Sequence, residues 1–230
     1  RIASVTEKLV PIMAALYLFF GLINLIARTR YIPETFGMIF KYAFEPNAII
    51  GGGLGYALKT AISQGVKRGL FSNEAGMGST PHAHAIAKVK KPHDQGVVAM
   101  VGVFIDTFVV LTMTALIVIS TLYAGNGILA SGAADGVSKT NMAQLAFGEV
   151  FGSTFGNCVV AICLLFFAFS TIIRWNLFGR INVHFLFGRK TASKIYSAIA
   201  VVFIFLGSCL SNDLVWELTD MFNQLMVIPN

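Results

Sequence analysis

Gly96-Val-Val-Ala-Met-Val-Gly-Val-Phe-Ile-Asp106-Thr-Phe-Val-Val-Leu-Thr-Met-Thr-Ala-Leu-Ile-Val-Ile-Ser-Thr-Leu-Tyr123 is an apolar run carrying a single acid and no base. About 20 mainly apolar residues suffice to cross a bilayer as a helix, and this run exceeds that length. The rest of the chain has the same character. Of 230 residues, 56% are hydrophobic, 12% are charged and 20 are Phe, with a mean hydropathy of +0.73. A soluble domain holds roughly 25% charged residues. Half that supply cannot build a water-facing surface, so much of the exterior must face lipid. The sequence therefore predicts an all-α integral membrane protein, multi-pass in a cell (plasma or inner) membrane.

Further spans are expected over 9–26, from near Ala48, over about 157–178, over about 195–210 and from near Leu214, which makes about six transmembrane helices. The second differs from the others. Gly51-Gly52-Gly53 and Gly55 open it, and Lys59 and Gln64 lie inside it. Small and polar residues suit packing within a bundle better than contact with lipid. Between spans one and two, Pro33, Phe36, Ile39 and Phe40 predict a short interfacial helix. The connection at 124–152 is long and rich in Gly, Ala and Ser, with a short helix expected at 142–147. Such length without structure is uncommon unless it serves a function. The chain opens on Arg1 without a signal-peptide pattern and closes on Ile-Pro-Asn230, so it is read as an internal part of a larger protein, with helices expected on both sides.

The net charge is +6. The basic residues fall in connections, where they set membrane orientation, so no nucleic-acid partner is inferred; the implied partner is the lipid bilayer. Lys67, Arg68, Lys88, Lys90 and Lys91 lie on the same side, by parity, as Arg180, Arg189, Lys190 and Lys194, and that side is assigned to the cytoplasm. Arg28, Arg30 and Lys41 run against the assignment. Cys158, Cys163 and Cys209 sit in apolar stretches without disulfide or metal spacing and are read as small buried hydrophobes.

Polar chemistry concentrates in few places. Gly69-Leu-Phe-Ser-Asn-Glu-Ala-Gly-Met-Gly-Ser-Thr-Pro81 sets glycines, a proline and hydrogen-bonding side chains where a helix would otherwise continue. Free backbone groups at membrane depth are tolerated only when they line a cavity or are buried in protein, and a helix start beyond the break suits a carboxylate. Broken helices of this kind bind substrate in many secondary transporters. A plain cytoplasmic turn with Glu74 in water accounts for the spacing equally well. In Phe167-Ala-Phe-Ser170-Thr171-Ile-Ile-Arg-Trp175, adjacent hydroxyls one turn beyond a carbonyl supply hard oxygen ligands for a small cation, and Thr171 and Trp175 share a helix face. The competing reading is hydroxyls bonded back to their own carbonyls. Asp106 lies within a span, Glu217, Asp220 and Gln224 share one face, and His82 and His84 form a weak metal pair. No nucleophile elbow, HExxH, phosphate loop or CxxC occurs. An intramembrane enzyme built on Ser72, Glu74 or His82 has no spacing to select a base, and no enzyme activity is expected.

Gly65-Val-Lys-Arg-Gly-Leu-Phe-Ser-Asn-Glu-Ala-Gly-Met-Gly-Ser-Thr-Pro-His-Ala-His84 closely resembles the signature of the alanine or glycine:cation symporters, the sodium:alanine symporter family. Arg1-Ile-Ala-Ser-Val-Thr-Glu-Lys-Leu-Val-Pro11, Phe167-Ala-Phe-Ser-Thr171 and the segment from Asp213-Leu-Val-Trp216 to Asn230 resemble further family segments in family order. The resemblance implies the five-plus-five inverted-repeat fold of the amino acid–polyamine–cation superfamily. Residues 1–230 would be a single transmembrane domain fragment holding the fifth to tenth core helices, with the first repeat largely missing. It implies symport of a small neutral amino acid such as alanine or glycine, with sodium as coupling ion and no other cofactor. By that resemblance Asn73, Gly76, Met77 and Gly78 line the amino-acid site, facing Thr171 and Trp175, while the Phe167 carbonyl, Ser170 and Thr171 hold sodium. One departure stands out. Where the family continues Gly-Trp-Ser-Tyr-Tyr-Gly-Glu, this chain reads Arg174-Trp-Asn-Leu-Phe-Gly-Arg180. An arginine near the midplane costs about 2.5–3.5 kcal/mol on insertion scales unless its charge finds a partner or water. A non-transporting or degenerate membrane subunit is therefore the alternative reading.

Overall fold

A computed structural model describes residues 2–44, 63, 65–69, 71–74, 77–130, 137–138 and 140–228. In chain order its helices are α1 (Ile2–Ala27), α2 (Ile32–Phe44), α3 (Thr80–Ala85), α4 (Pro92–Leu122), α5 (Met142–Phe151), α6 (Ser153–Phe187), α7 (Lys190–Cys209) and α8 (Asn212–Val227). Among the described residues there is no strand. In lipid, a helix satisfies its backbone hydrogen bonds within its own segment, and the apolar stretches leave little else for the chain to form.

Four described helices are long and apolar enough to cross a membrane, at Leu9–Ala27, Pro92–Leu122, Ser153–Phe187 and Lys190–Cys209. The expected second span falls mostly outside the described residues. The expected sixth is α8, whose 16 residues fall short of the length of the four; Asp213, Glu217 and Asp220 share one face, which makes it amphipathic. The fourth outruns its expected limits. Its apolar centre was legible, but α6 continues to 35 residues, about 52 Å at 1.5 Å per residue, because intrahelical bonding does not stop where hydropathy falls. Arg180 consequently lies within α6, and the turn that follows is only Gly188-Arg189. Gly188, at φ 62°, takes the left-handed conformation that ends the helix, its N–H donating to the His184 carbonyl at 2.8 Å.

The contacts divide the chain into two compact units, Arg1–Ala48 with Ala99–Thr171, and Ile49–Val98 with Ile172–Asn230. The first unit holds the main core, where Met113, Ile117 and Leu122 of α4 meet Ala146 and Phe147 of α5 and Val159 and Val160 of α6. Small residues let these helices close up. A Cβ at Gly156 would come within 2.5 Å of the Phe147 carbonyl carbon, and one at Gly21 within 2.7 Å of Met113 Cε, the close approach on which helix packing in membranes relies. Some polar groups inside this core are paired, while Asn24 Oδ1 and Thr121 Oγ1 are buried without a partner. Tyr17 and Thr114 share a hydroxyl hydrogen bond of 2.5 Å, and Asn24 Nδ2 donates to the Ala146 carbonyl at 3.2 Å. A helix is present where the interfacial one was expected, as α2, with Thr35 buried and Phe36 and Phe40 exposed. The short loop helix appears as α5, four residues longer than expected, and Glu34 Oε1 accepts the Gly125 N–H beneath that loop.

The second unit contains α3, the first turns of α4, the later part of α6, α7 and α8. Gly179 on α6 faces Tyr196 on α7 so closely that a Cβ there would overlap the phenol ring. One turn away, Ser197 Oγ donates to Asn176 Oδ1 at 3.0 Å. Outward faces remain apolar, with Phe203 and Phe205 of α7 each 68% exposed. So much contiguous exposed hydrocarbon is untenable in water and natural in lipid. This is a multi-pass membrane protein.

Candidate functional site

The helical path through residues 65–69 and 71–72 stops at Asn73. Asn73 and Glu74 form a turn, with Asn73 N–H donating to the Gly69 carbonyl and Glu74 N–H to the Phe71 carbonyl. Glu74 stands at φ 51°, the left-handed region in which a non-glycine residue is uncommon, and Gly78 at φ 71° makes a second such bend. Helix resumes at Thr80 with Pro81 in its first turn, where the missing N–H costs nothing. The break expected from the glycines is thus present. The helix beyond it, α3, is only six residues long.

Glu74 is not a solvated turn residue. Its side chain is 12% exposed. One carboxylate oxygen accepts from Arg174 Nη2 at 2.6 Å, and the other from Ser79 Oγ at 2.8 Å and Thr80 Oγ1 at 3.4 Å. The arginine that departs from the family pattern therefore has its partner within the signature segment. Charge-assisted bonds of this length are among the stronger ones available to a protein, and they hold a backbone conformation that would otherwise cost roughly 1–2 kcal/mol.

Met77 and Ser79 are buried, at 6% and 4% exposure, while Asn73 and Gly78 are half-buried and Gly76 lies outside the described residues. On α6, Trp175 packs edge-on against Phe178, with ring centroids 5.9 Å apart. Phe167, Ser170 and Thr171 occupy the same helix within the first unit, whereas Asn73, Met77, Gly78 and Trp175 belong to the second. Ser170 Oγ donates to the Phe167 carbonyl at 2.9 Å. This is the bond of a hydroxyl back to its own helix carbonyl that the competing reading of this segment expects.

The remaining candidates resolve differently. His82 and His84 diverge: His82 Nε2 meets Asn182 Oδ1 at 3.0 Å and its ring lies on Phe178, while His84 Nδ1 meets Gln95 at 2.8 Å. No group of three or more metal-binding side chains occurs among the described residues. Asp106 lies in a seven-residue π-helical stretch, Ile105–Leu111, a distortion that recurs at functional positions in helices. Of the cysteines only Cys163 is buried. Cys158 and Cys209 are exposed and all three are free, so the expectation of three buried cysteines holds for one; the other two lie on outward helix faces. The polar face of α8 has a role that its spacing did not reveal. Asp220 Oδ1 accepts from Arg68 Nη1 at 3.3 Å, and the Arg68 guanidinium lies 4.3 Å over the Trp216 ring, which in turn meets Phe71 edge-on at 5.9 Å.

A family model described as the sodium:alanine symporter family matches residues 1–230. A sodium/alanine symporter of Methanococcus maripaludis is 38% identical over 230 residues, covering 100% of this chain and 48% of that protein. An amino-acid carrier protein of Bacillus subtilis is 34% identical over 230 residues, covering 100% and 46%. A sodium/proton-dependent alanine carrier protein of Bacillus sp. PS3 is 34% identical over 242 residues, covering 100% and 53%. The chain spans about half the length of the curated relatives it matches. No solved structure matches it.

Proposed function

Because the chain belongs to the sodium:alanine symporter family, we propose that it forms one part of a symporter moving a small neutral amino acid, alanine or glycine, across the cell membrane on the sodium gradient. The observation that carries this reading is the break at Asn73–Glu74, fixed by the Glu74 contacts to Arg174, Ser79 and Thr80. A broken helix held by side chains keeps backbone donors and acceptors available for a zwitterion at a depth where ordinary helix offers none.

In this reading the chain is a single transmembrane domain holding the fifth to tenth core helices of a five-plus-five inverted repeat, with about six spans. Asn73, Gly76, Met77 and Gly78 hold the amino acid, and Gly78, lacking a side chain, lets the ligand approach the backbone. Thr171 and Trp175 close the site, with Trp175 walling the substrate side chain. The Phe167 carbonyl, Ser170 and Thr171 hold sodium. Glu74 has both oxygens committed to internal partners, so backbone carbonyls rather than this carboxylate receive the substrate ammonium. The paired Arg174 also supports a working transporter over a degenerate one, since its charge no longer stands as an uncompensated insertion cost.

The test is uptake of labelled alanine by the whole protein in proteoliposomes. Uptake should rise when an inward sodium gradient is imposed and collapse when sodium is replaced by potassium. Uptake indifferent to both sodium and alanine refutes the proposal.

A further inference from the structure

Arg68 and Phe71 lie three residues apart on the helical turns that lead into the break, and Trp216 and Asp220 four apart on α8, so each pair shares one helix face. The two faces meet within the second unit. The Arg68 guanidinium lies 4.3 Å over the Trp216 ring while its Nη1 donates to Asp220 Oδ1 at 3.3 Å, and the Phe71 ring meets Trp216 edge-on at 5.9 Å. Trp216 is the common member, touching both residues of the leading turns.

This clasp grips the residues whose carbonyls build the break. Phe71 supplies the carbonyl that takes the Glu74 N–H at 3.2 Å. Gly69, next to Arg68, supplies the one that takes both the Asn73 N–H and Asn73 Nδ2, each at 3.3 Å. Helix does not resume until Thr80, so no continuous ladder of helical hydrogen bonds carries position across the break. Side-chain contacts do so instead. Arg174 holds Glu74 from α6, and α8 holds the leading turns through Arg68 and Phe71. A shift of those turns moves both carbonyls, and Asn73 with them. The Arg68 and Asp220 side chains are 43% and 24% exposed, and a pair so exposed fixes little by charge alone. The ring beneath the guanidinium adds a second attraction and sets its plane.

We propose that Arg68, held by Trp216 and Asp220, is a positioning residue for the amino-acid site: acting through the backbone, it keeps Asn73 where Asn73 receives the amino acid. The proposal rests on the transport reading above and adds α8 to the elements that set substrate affinity.

The test is sodium-driven uptake of labelled alanine by the whole protein in proteoliposomes, normalised to the folded protein incorporated. Arg68→Met should raise the alanine KM about five- to tenfold. The maximal rate, and the sodium concentration for half-maximal uptake at saturating alanine, should not change. Arg68→Lys, which keeps a charge for the ring and the acid, should recover most of the loss. Asp220→Asn should raise KM less than Arg68→Met does, because the ring contact survives; it carries the test where Arg68→Met fails to fold. An unchanged KM in the variant that folds overturns the proposal, as does a rise that Arg68→Lys does not relieve, or a loss confined to maximal rate. Uptake by the unmodified protein that ignores sodium and alanine refutes the transport reading and this proposal with it. Sodium-driven uptake with an unaltered variant KM refutes this proposal alone.

Discussion

Arg174 and Glu74 are 100 residues apart in sequence and meet at 2.6 Å, which makes their pairing the sharpest quantity to test. A hydrogen bond to a charged group contributes about 1.5–3 kcal/mol, whereas an exposed ion pair contributes about 0.2–1 kcal/mol. The Glu74 side chain is 12% exposed and that of Arg174 52%, so one partner is desolvated and the other screened. An intermediate value of about 1.5 kcal/mol follows, roughly tenfold in an equilibrium constant. The perturbation is a double-mutant cycle using Arg174→Met, which keeps an apolar stem, and Glu74→Gln, which keeps the shape but removes the charge. The readout is unfolding of the purified protein in mixed micelles, followed by tryptophan fluorescence, since Trp175 is adjacent to Arg174. Each single change should lower stability by about 1.5–2 kcal/mol, and the double change by little more than either alone. Energies that simply add, with a coupling below about 0.3 kcal/mol, the usual limit of independence, refute the idea that this pair holds the break.

Other consequences are equally specific. Gly156→Ala should destabilise by about 2–3 kcal/mol, because the added Cβ meets the backbone at Phe147 and Gly148; Gly21→Ala should cost less than about 1 kcal/mol, because the obstacle is the flexible end of Met113, and denaturant titration ranks the two. Ser170→Ala and Thr171→Ala should each raise the sodium concentration for half-maximal uptake about tenfold while leaving expression unchanged; an unaltered sodium curve in both removes these residues from the cation site. Asn24 is fully buried, donates to the Ala146 carbonyl, and carries an unpartnered Oδ1. Asn24→Leu should therefore change stability by less than about 1 kcal/mol, whereas Asn24→Asp, which buries a charge without its donor, should cost about 3 kcal/mol or more; thermal denaturation in detergent compares them.

Much of this protein is written locally. The apolar run 96–123, the scarcity of charge and the glycine–proline punctuation of 69–81 determine membrane location, helical structure and the position of the break. Each of these depends on a short window of residues and the solvent around it: a run of apolar side chains partitions into lipid wherever it lies in the chain, and a dense cluster of glycines ahead of a proline weakens helix locally. Partnership is not local. Arg174 reads in sequence as an intramembrane charge at a loss, and only the tertiary structure sets Glu74 against it. The polar stripe Glu217, Asp220 and Gln224 was visible on α8, but its meeting with Arg68 was not. His82 and His84 likewise suggested a shared metal until folding sent them to separate partners, Asn182 and Gln95. The physical reason is common to all of these. Hydropathy and backbone preference are properties of a residue and its near neighbours, whereas the energy of a buried charge or donor depends on which group reaches it within about 3 Å, and that choice is made only when distant segments pack.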